Sequence, residues 1–120
     1  MPIHLYQFTY DLDWIEYPLL GDYHTSEIDF VFGNQWPPIL HGFYKKSDYE
    51  LSAAMGTYWT SMAASGTPNA DTSTFEWPVF NATTQLSMNF SWPMTIKQNL
   101  LEDKCNYWDK LLDSLLSSDQ

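Results

Sequence analysis

Apolar residues recur at helical spacing in the middle of the chain and predict its clearest element. Over residues 48–65 they fall at intervals of three and four, which places them on one face of a helix. The positions are Leu51, Met55, Tyr58, Trp59 and Met62. Ser47 and Glu50 fit a capping box at the start, and Gly66 is typical of the end of a helix.

A second apolar stripe near the end of the chain predicts a helix from about Ile96 to Leu116. It consists of Leu101, Cys105, Trp108, Leu112 and Leu115. Because these residues share one helical face, we expect that face, with Cys105 on it, to be buried.

Two segments alternate in the manner of strands. Residues 2–10 are rich in β-branched and aromatic side chains, and their alternation predicts a strand that buries Tyr6, Phe8 and Tyr10 on one face. Residues 85–90 alternate in the same way and predict a short second strand. Strands combined with long helices indicate an α/β fold.

The stretch 21–34 presents a histidine, His24, immediately before a short helix. Ser26 stands three residues before Asp29, as in a capping box, which predicts a helix over 27–32. A Gly-Asn pair follows and is typical of a helix end. His24 is therefore expected to sit on a loop that is held in place.

Composition and charge exclude several classes of partner. The net charge is −10, with five lysines against fifteen acidic residues, which strongly disfavours a nucleic acid or an anionic membrane surface as a partner. No apolar run approaches the length of a membrane span. Aromatic residues make up 18% of the chain, with six Trp, which suggests packing against further protein rather than an isolated small domain.

The histidine stretch closely resembles the histidine-bearing block of type-B carboxylesterases, the α/β-hydrolase family of the cholinesterases and fungal lipases. The pattern Gly-x-x-His-x-x-Glu, followed by an aromatic residue and Val-Phe-Gly, is matched at Gly21, His24, Glu27, Phe30, Val31, Phe32 and Gly33. Blocks at 55–69, 77–78 and 105–109 also resemble the family, in its order and spacing. Together the four blocks are far more specific than any one of them.

The resemblance implies that residues 1–120 are the C-terminal part of a single α/β-hydrolase domain, incomplete on its own. His24 is then the base of a Ser-Glu/Asp-His triad in a carboxylic ester hydrolase. Triad partners follow the chain order serine, acid, histidine, so the other two are expected upstream. No Gly-x-Ser-x-Gly elbow occurs in the sequence, and the chain alone is expected to be inactive. The reaction implied acts on an ester or lipid substrate and uses no cofactor.

Two roles stay open for Glu27. The resemblance makes it an acid that helps to position the histidine region, whereas the residues alone make it a first-turn acid favoured by the helix dipole. A metal site must also be weighed, since Asp22, His24, Glu27 and Asp29 lie within eight residues. Neither a His-x-x-x-His pattern nor a cysteine pair accompanies them, which disfavours a metal.

Cys105 and two sequons bear on the cellular location. Cys105 is the only cysteine, so no internal disulfide is possible. In cholinesterase-like members the matching cysteine pairs with one upstream of the histidine block, which here would precede Met1. Asn81-Ala-Thr and Asn89-Phe-Ser are glycosylation sequons. These features favour a secreted or extracellular glycoprotein, although the first residues do not form a secretory leader.

Two other classes of protein remain possible on these grounds. One is a non-catalytic cholinesterase-like protein used for adhesion or binding, against which the presence of His24 and Glu27 argues. The other is an independent, aromatic-rich binding module, which would fold cooperatively as a monomer of 120 residues.

Overall fold

A computed structural model describes residues 2–12, 21–34, 42–70 and 75–117 of the chain. These ranges contain three strands and three helices. They are β1 (Tyr6–Phe8), α1 (Ser26–Phe32), α2 (Lys46–Ser65), β2 (Leu86–Phe90), β3 (Thr95–Gln98) and α3 (Glu102–Ser117). None of the helices in the described ranges is long and apolar enough to cross a membrane.

The strands form a mixed sheet in the order β1-β2-β3. β1 runs parallel to β2, with Tyr6 opposite Met88, and β3 runs antiparallel to β2, with Ile96 opposite Met88. Both predicted strands are confirmed, the first over a shorter span. The alternation in β2 does not separate a buried face from an exposed one, however, because Ser87 and Asn89 are buried as well.

The core lies where α1 and α2 meet the sheet. Its buried members are Phe30, Leu51, Met55, Tyr58, Trp77, Met88 and Phe90. The predicted face of β1 packs on this cluster: the ring of Tyr6 lies 5.5 Å from that of Phe90, and the ring of Phe8 lies 5.3 Å from that of Phe30. These tilted and edge-to-face contacts are the preferred geometry of aromatic pairs.

The predicted central helix is confirmed as α2, but it does not begin with the predicted capping box. Asp48 is buried, and its carboxylate accepts hydrogen bonds from the Lys45 backbone N–H at 2.6 Å and from the Tyr10 hydroxyl. The Ser47 hydroxyl lies 2.9 Å from the Tyr10 hydroxyl instead of capping the helix. At the other end Gly66 adopts φ 78°, and its N–H donates to Met62 O, as predicted.

The start of α1 also differs from the prediction, although the helix itself is confirmed. Thr25 precedes the helix in a left-handed conformation, φ 77°, and Ser26 is its first residue. The Ser26 hydroxyl is buried and has no hydrogen-bond partner in the described part of the chain, so it does not cap. Gly33 ends the helix with φ 65°, as predicted.

The prediction for the last helix is wrong in two respects. Residues 95–98 form β3, because they pair with β2, and the helix begins only at Glu102 after positive φ values at Asn99 and Leu101. The apolar face expected to be buried is exposed: α3 has no buried residue. Cys105 is an exposed free cysteine.

Truncating leucines on α2 and α3 tests this difference in packing. Leu51→Ala removes a side chain that is 0% exposed and is expected to cost about 2–5 kcal/mol, because it leaves a cavity in the core. Leu116→Ala, at a position 68% exposed, is expected to change the free energy of unfolding by less than about 0.5 kcal/mol. Urea unfolding measures both. Equal losses in the two variants would contradict the exposed position of α3.

Candidate active site

His24 lies on a short loop whose backbone is held, and its side chain has no hydrogen-bond partner among the described residues. The Ser26 N–H donates to Tyr23 O at 3.1 Å, and the Ile28 N–H donates to Thr25 O at 3.1 Å. The imidazole of His24 is exposed and forms no hydrogen bond with any residue that the structure describes. An imidazole on a fixed backbone with both ring nitrogens free can bind further groups without breaking existing contacts.

The residue after His24 has an uncommon backbone conformation. Thr25 has φ 77°, a left-handed value that a β-branched residue rarely adopts. Such conformations persist only where the surrounding structure imposes them, and they cluster at functional sites. The strained residue Thr25 therefore forms the turn between His24 and α1.

The helix that follows His24 is fixed to α2 through its own backbone. The Ser52 hydroxyl on α2 donates to Phe30 O at 2.7 Å. The two backbones also approach closely at Gly56, where a Cβ atom would lie 3.6 Å from Val31 O. The Phe30 side chain is buried beside Tyr10, at a ring distance of 5.5 Å. α1 is thus a rigid support for the histidine loop.

Glu27 is half-buried on the first turn of α1, near β1. Burial raises the pKa of Tyr6, and the negative charge of Glu27 raises it further, which places the two side chains within electrostatic range. No hydrogen bond joins Glu27 to His24 within the described ranges. Both predicted roles of Glu27 therefore remain predictions.

Tyr44 is half-buried two residues before α2 and lies within electrostatic range of Asp29 on α1 and Asp48 on α2. Burial, followed by the charges of Asp29 and Asp48, raises the pKa of Tyr44 to about 12. Tyr23, which precedes His24, and Tyr49 add to this shift. Burial also raises the pKa of Asp29. Sequence reasoning missed this cluster, because its members belong to separate segments without a common motif.

The outer face of α1 is apolar, and this too was not predicted. Ile28 and Phe32 stand one turn apart and are 45% and 73% exposed. Their spacing of four residues could have indicated a shared face. Exposed apolar side chains that share one helix face can be covered by a further part of the protein.

The remaining predicted site residues lie on other elements. Cys105 is on α3, Asn81 is exposed in the turn before β2, and Asn89 is buried within β2. Over the described ranges, no three His, Cys, Asp or Glu side chains converge closely enough to hold a metal ion. The acidic residues around His24 in the sequence therefore do not gather into a ligand set.

The sequence matches known proteins over nearly its whole length. A profile of the carboxylesterase family matches residues 1–108. Acetylcholinesterase of Danio rerio is 32% identical over 124 residues, and that of Electrophorus electricus is 31% identical over 124 residues. Each of these alignments covers 96% of this chain but 19% of the relative. The chain thus spans about a fifth of the length of these relatives.

The fold also has a solved counterpart. The structure of PNB esterase superimposes with a TM-score of 0.71 at 25% identity, covering 88% of this chain and 21% of that one. The three helices and the three-stranded mixed sheet are part of an α/β-hydrolase fold. The chain belongs to the carboxylesterase family, a family of ester hydrolases.

The raised pKa of Tyr44 predicts that the free energy of unfolding falls at alkaline pH. Tyr44 ionises near its ordinary pKa of 10.0 in the unfolded chain and at about 12 in the folded chain. The contribution of Tyr44 to the free energy of unfolding is therefore complete below pH 10 and is lost as the pH rises towards 12. Tyr44→Phe is expected to reduce this loss, measured as the change in the urea midpoint across the window. Phe43→Leu alters a neighbour without a titratable group and should keep the original dependence of the urea midpoint on pH. The same dependence in Tyr44→Phe would contradict the raised pKa of Tyr44.

Proposed function

We propose that this chain supplies His24 as the catalytic base of a serine carboxylic ester hydrolase. The nucleophilic serine and the acid of the triad then belong to a part of the same domain outside residues 1–120. The observation that carries the proposal is the exposed imidazole of His24, free of hydrogen bonds to described residues, on a loop whose backbone is hydrogen-bonded at its junction with α1. In a member of the carboxylesterase family, such a histidine is available to both missing partners.

The chemistry follows from the two nitrogens of the imidazole. One accepts the proton of the serine hydroxyl as its oxygen attacks the ester carbonyl, and the other donates to the carboxylate that holds the correct tautomer. The imidazolium then gives the proton to the alcohol, which departs. The enzyme remains as an acyl-serine. Water, activated by the same histidine, hydrolyses the acyl-serine, so the scheme needs no cofactor.

Glu27 acts in this scheme as a positioning residue. It lies three residues after His24, in the first turn of α1, and its charge reaches Tyr6 on β1. A carboxylate at the junction of helix and strand helps to keep the histidine loop in register with the sheet. It does not touch the reacting atoms.

The exposed apolar side chains support the proposal that residues 1–120 are part of a larger domain. Phe32 on α1 and Leu115 and Leu116 on α3 are all more than half exposed. Covering them with the rest of an esterase domain would remove apolar area from water, worth about 25 cal/mol per Å². The exposed thiol of Cys105 is also accessible for a disulfide with the rest of the domain. A disulfide and the two sequons fit a secreted protein. Its substrate would be an ester or a lipid.

Active-site labelling of the natural protein tests the proposal. A source extract is treated with a tagged fluorophosphonate, which phosphonylates activated serines, and is then deglycosylated. The product is captured with an antibody against residues 97–120. We expect a labelled species several times larger than 14.0 kDa, and pretreatment with untagged probe should abolish the label.

The other outcomes identify the rival functions. A large species without label contradicts catalysis and indicates a non-catalytic cholinesterase-like protein. An unlabelled species near 14.0 kDa overturns the proposal in favour of an independent binding module.

A substitution of His24 tests its role within the labelled protein. His24→Gln is expected to lower kcat by about 10³-fold or more with little change in KM, because the serine loses its base. The control is His4→Asn: His4 Nδ1 lies 3.1 Å from Pro78 O, and the Asn amide nitrogen can donate from the same position. Ester hydrolysis and thermal unfolding are measured for both. A kcat for His24→Gln within tenfold of the original would exclude His24 as the base.

A further inference from the structure

The two glycosylation sequons lie in opposite environments. Asn81, Ala82 and Thr83 are all exposed, in the turn that leads into β2. Asn89 lies in β2 between the other two strands and is 5% exposed, and the residue after it, Phe90, is 0% exposed. An N-glycan is bulky and hydrated and requires a surface position.

The side chain of Asn81 is held by its oxygen alone. Its Oδ1 accepts hydrogen bonds from the backbone N–H groups of Thr83, at 2.9 Å, and Thr84, at 2.8 Å. Its Nδ2 has no hydrogen-bond partner in the described part of the chain. A sugar can replace one Nδ2 proton without the loss of an existing contact, while Oδ1 keeps the turn in place.

The side chain of Asn89 is occupied at both ends. Its Oδ1 accepts from Thr9 Oγ1 at 2.9 Å, and its Nδ2 donates to Ser91 Oγ at 3.0 Å and to Thr95 Oγ1 at 3.3 Å. These bonds link the central strand to the residue after β1 and to β3. A glycan on Nδ2 would break one of them and force the strands apart, which a folded sheet does not allow.

We propose that Asn81 is an N-glycan acceptor and that Asn89 is not, although both sequons are intact. Transfer forms a bond between Nδ2 and C1 of the first sugar and breaks the C1–O bond to a lipid-linked pyrophosphate donor. Nδ2 loses a proton, and the lipid pyrophosphate leaves. The 81–84 turn is then part of the outer surface of the complete protein. This inference goes beyond the proposed function and does not depend on hydrolytic activity.

Site occupancy in a secretory host tests the proposal. The full 120-residue chain is expressed behind a cleavable leader in a eukaryotic host and recovered from the medium, or as soluble chain from the lysate if the medium contains none. Peptide N-glycosidase in heavy-oxygen water converts each glycosylated Asn to labelled Asp, which peptide mass spectrometry locates. We expect the label at Asn81 and none at Asn89. A label at Asn89, or its absence at Asn81, overturns the proposal.

Three variants separate the sequon from the turn around it. Thr83→Ala destroys the sequon but keeps both backbone donors to Asn81, so the chain is expected to lose one glycan-sized step in gel mobility. Thr84→Ala leaves the sequon intact and removes a buried hydroxyl without a hydrogen-bond partner among the described residues, so the glycan is retained. Ser91→Ala destroys the second sequon and should leave the mobility unchanged. An unshifted Thr83→Ala, or a shifted Ser91→Ala, contradicts the assignment.

Discussion

The buried carboxylate of Asp48 joins the segment after β1 to the start of α2, and the candidate site depends on this contact. It is 1% exposed, and it accepts hydrogen bonds from the Tyr10 hydroxyl, just beyond β1, and from the backbone N–H that opens α2. A buried carboxylate without such partners costs several kcal/mol, so the contact fixes the sheet relative to the helix. Tyr10 also packs on Phe30 of α1, which extends the same constraint to the loop of His24.

The aromatic content of the chain is divided between two uses. Around Trp77, rings from β1, α2 and β2 meet in edge-to-face and tilted pairs, and the Trp77 indole N–H donates to Leu5 O at 3.0 Å. Much of the aromatic surplus that suggested an external partner is therefore used internally. Trp108 on α3 is 59% exposed, and other apolar residues of that helix are exposed as well. This exposure agrees with a chain that spans about a fifth of the length of its relatives.

Part of the fold could be predicted because it depends on contacts close in sequence. The stripe of α2 predicts that helix to within two residues, and glycines with positive φ end α1 and α2 as expected. Prediction failed where distant groups compete for the same atoms. The Ser47 hydroxyl bonds Tyr10, 37 residues away, instead of capping its own helix. Apolar spacing predicts a helix from Ile96, but the pairing of Thr95–Gln98 with β2 decides that this segment is a strand.

In the candidate site, too, some features follow from local sequence and others from contacts between distant segments. The sequence by itself determined the family, the histidine with its neighbouring acid, and the two sequons, because these are fixed spacings of residue types along the chain. Only the tertiary structure decided that the imidazole of His24 forms no hydrogen bond with a described residue, that the charges of Asp29 and Asp48 act on Tyr44, and that Asn89 is enclosed while Asn81 is open. Burial and charge proximity arise when distant segments pack together, so local patterns cannot specify them.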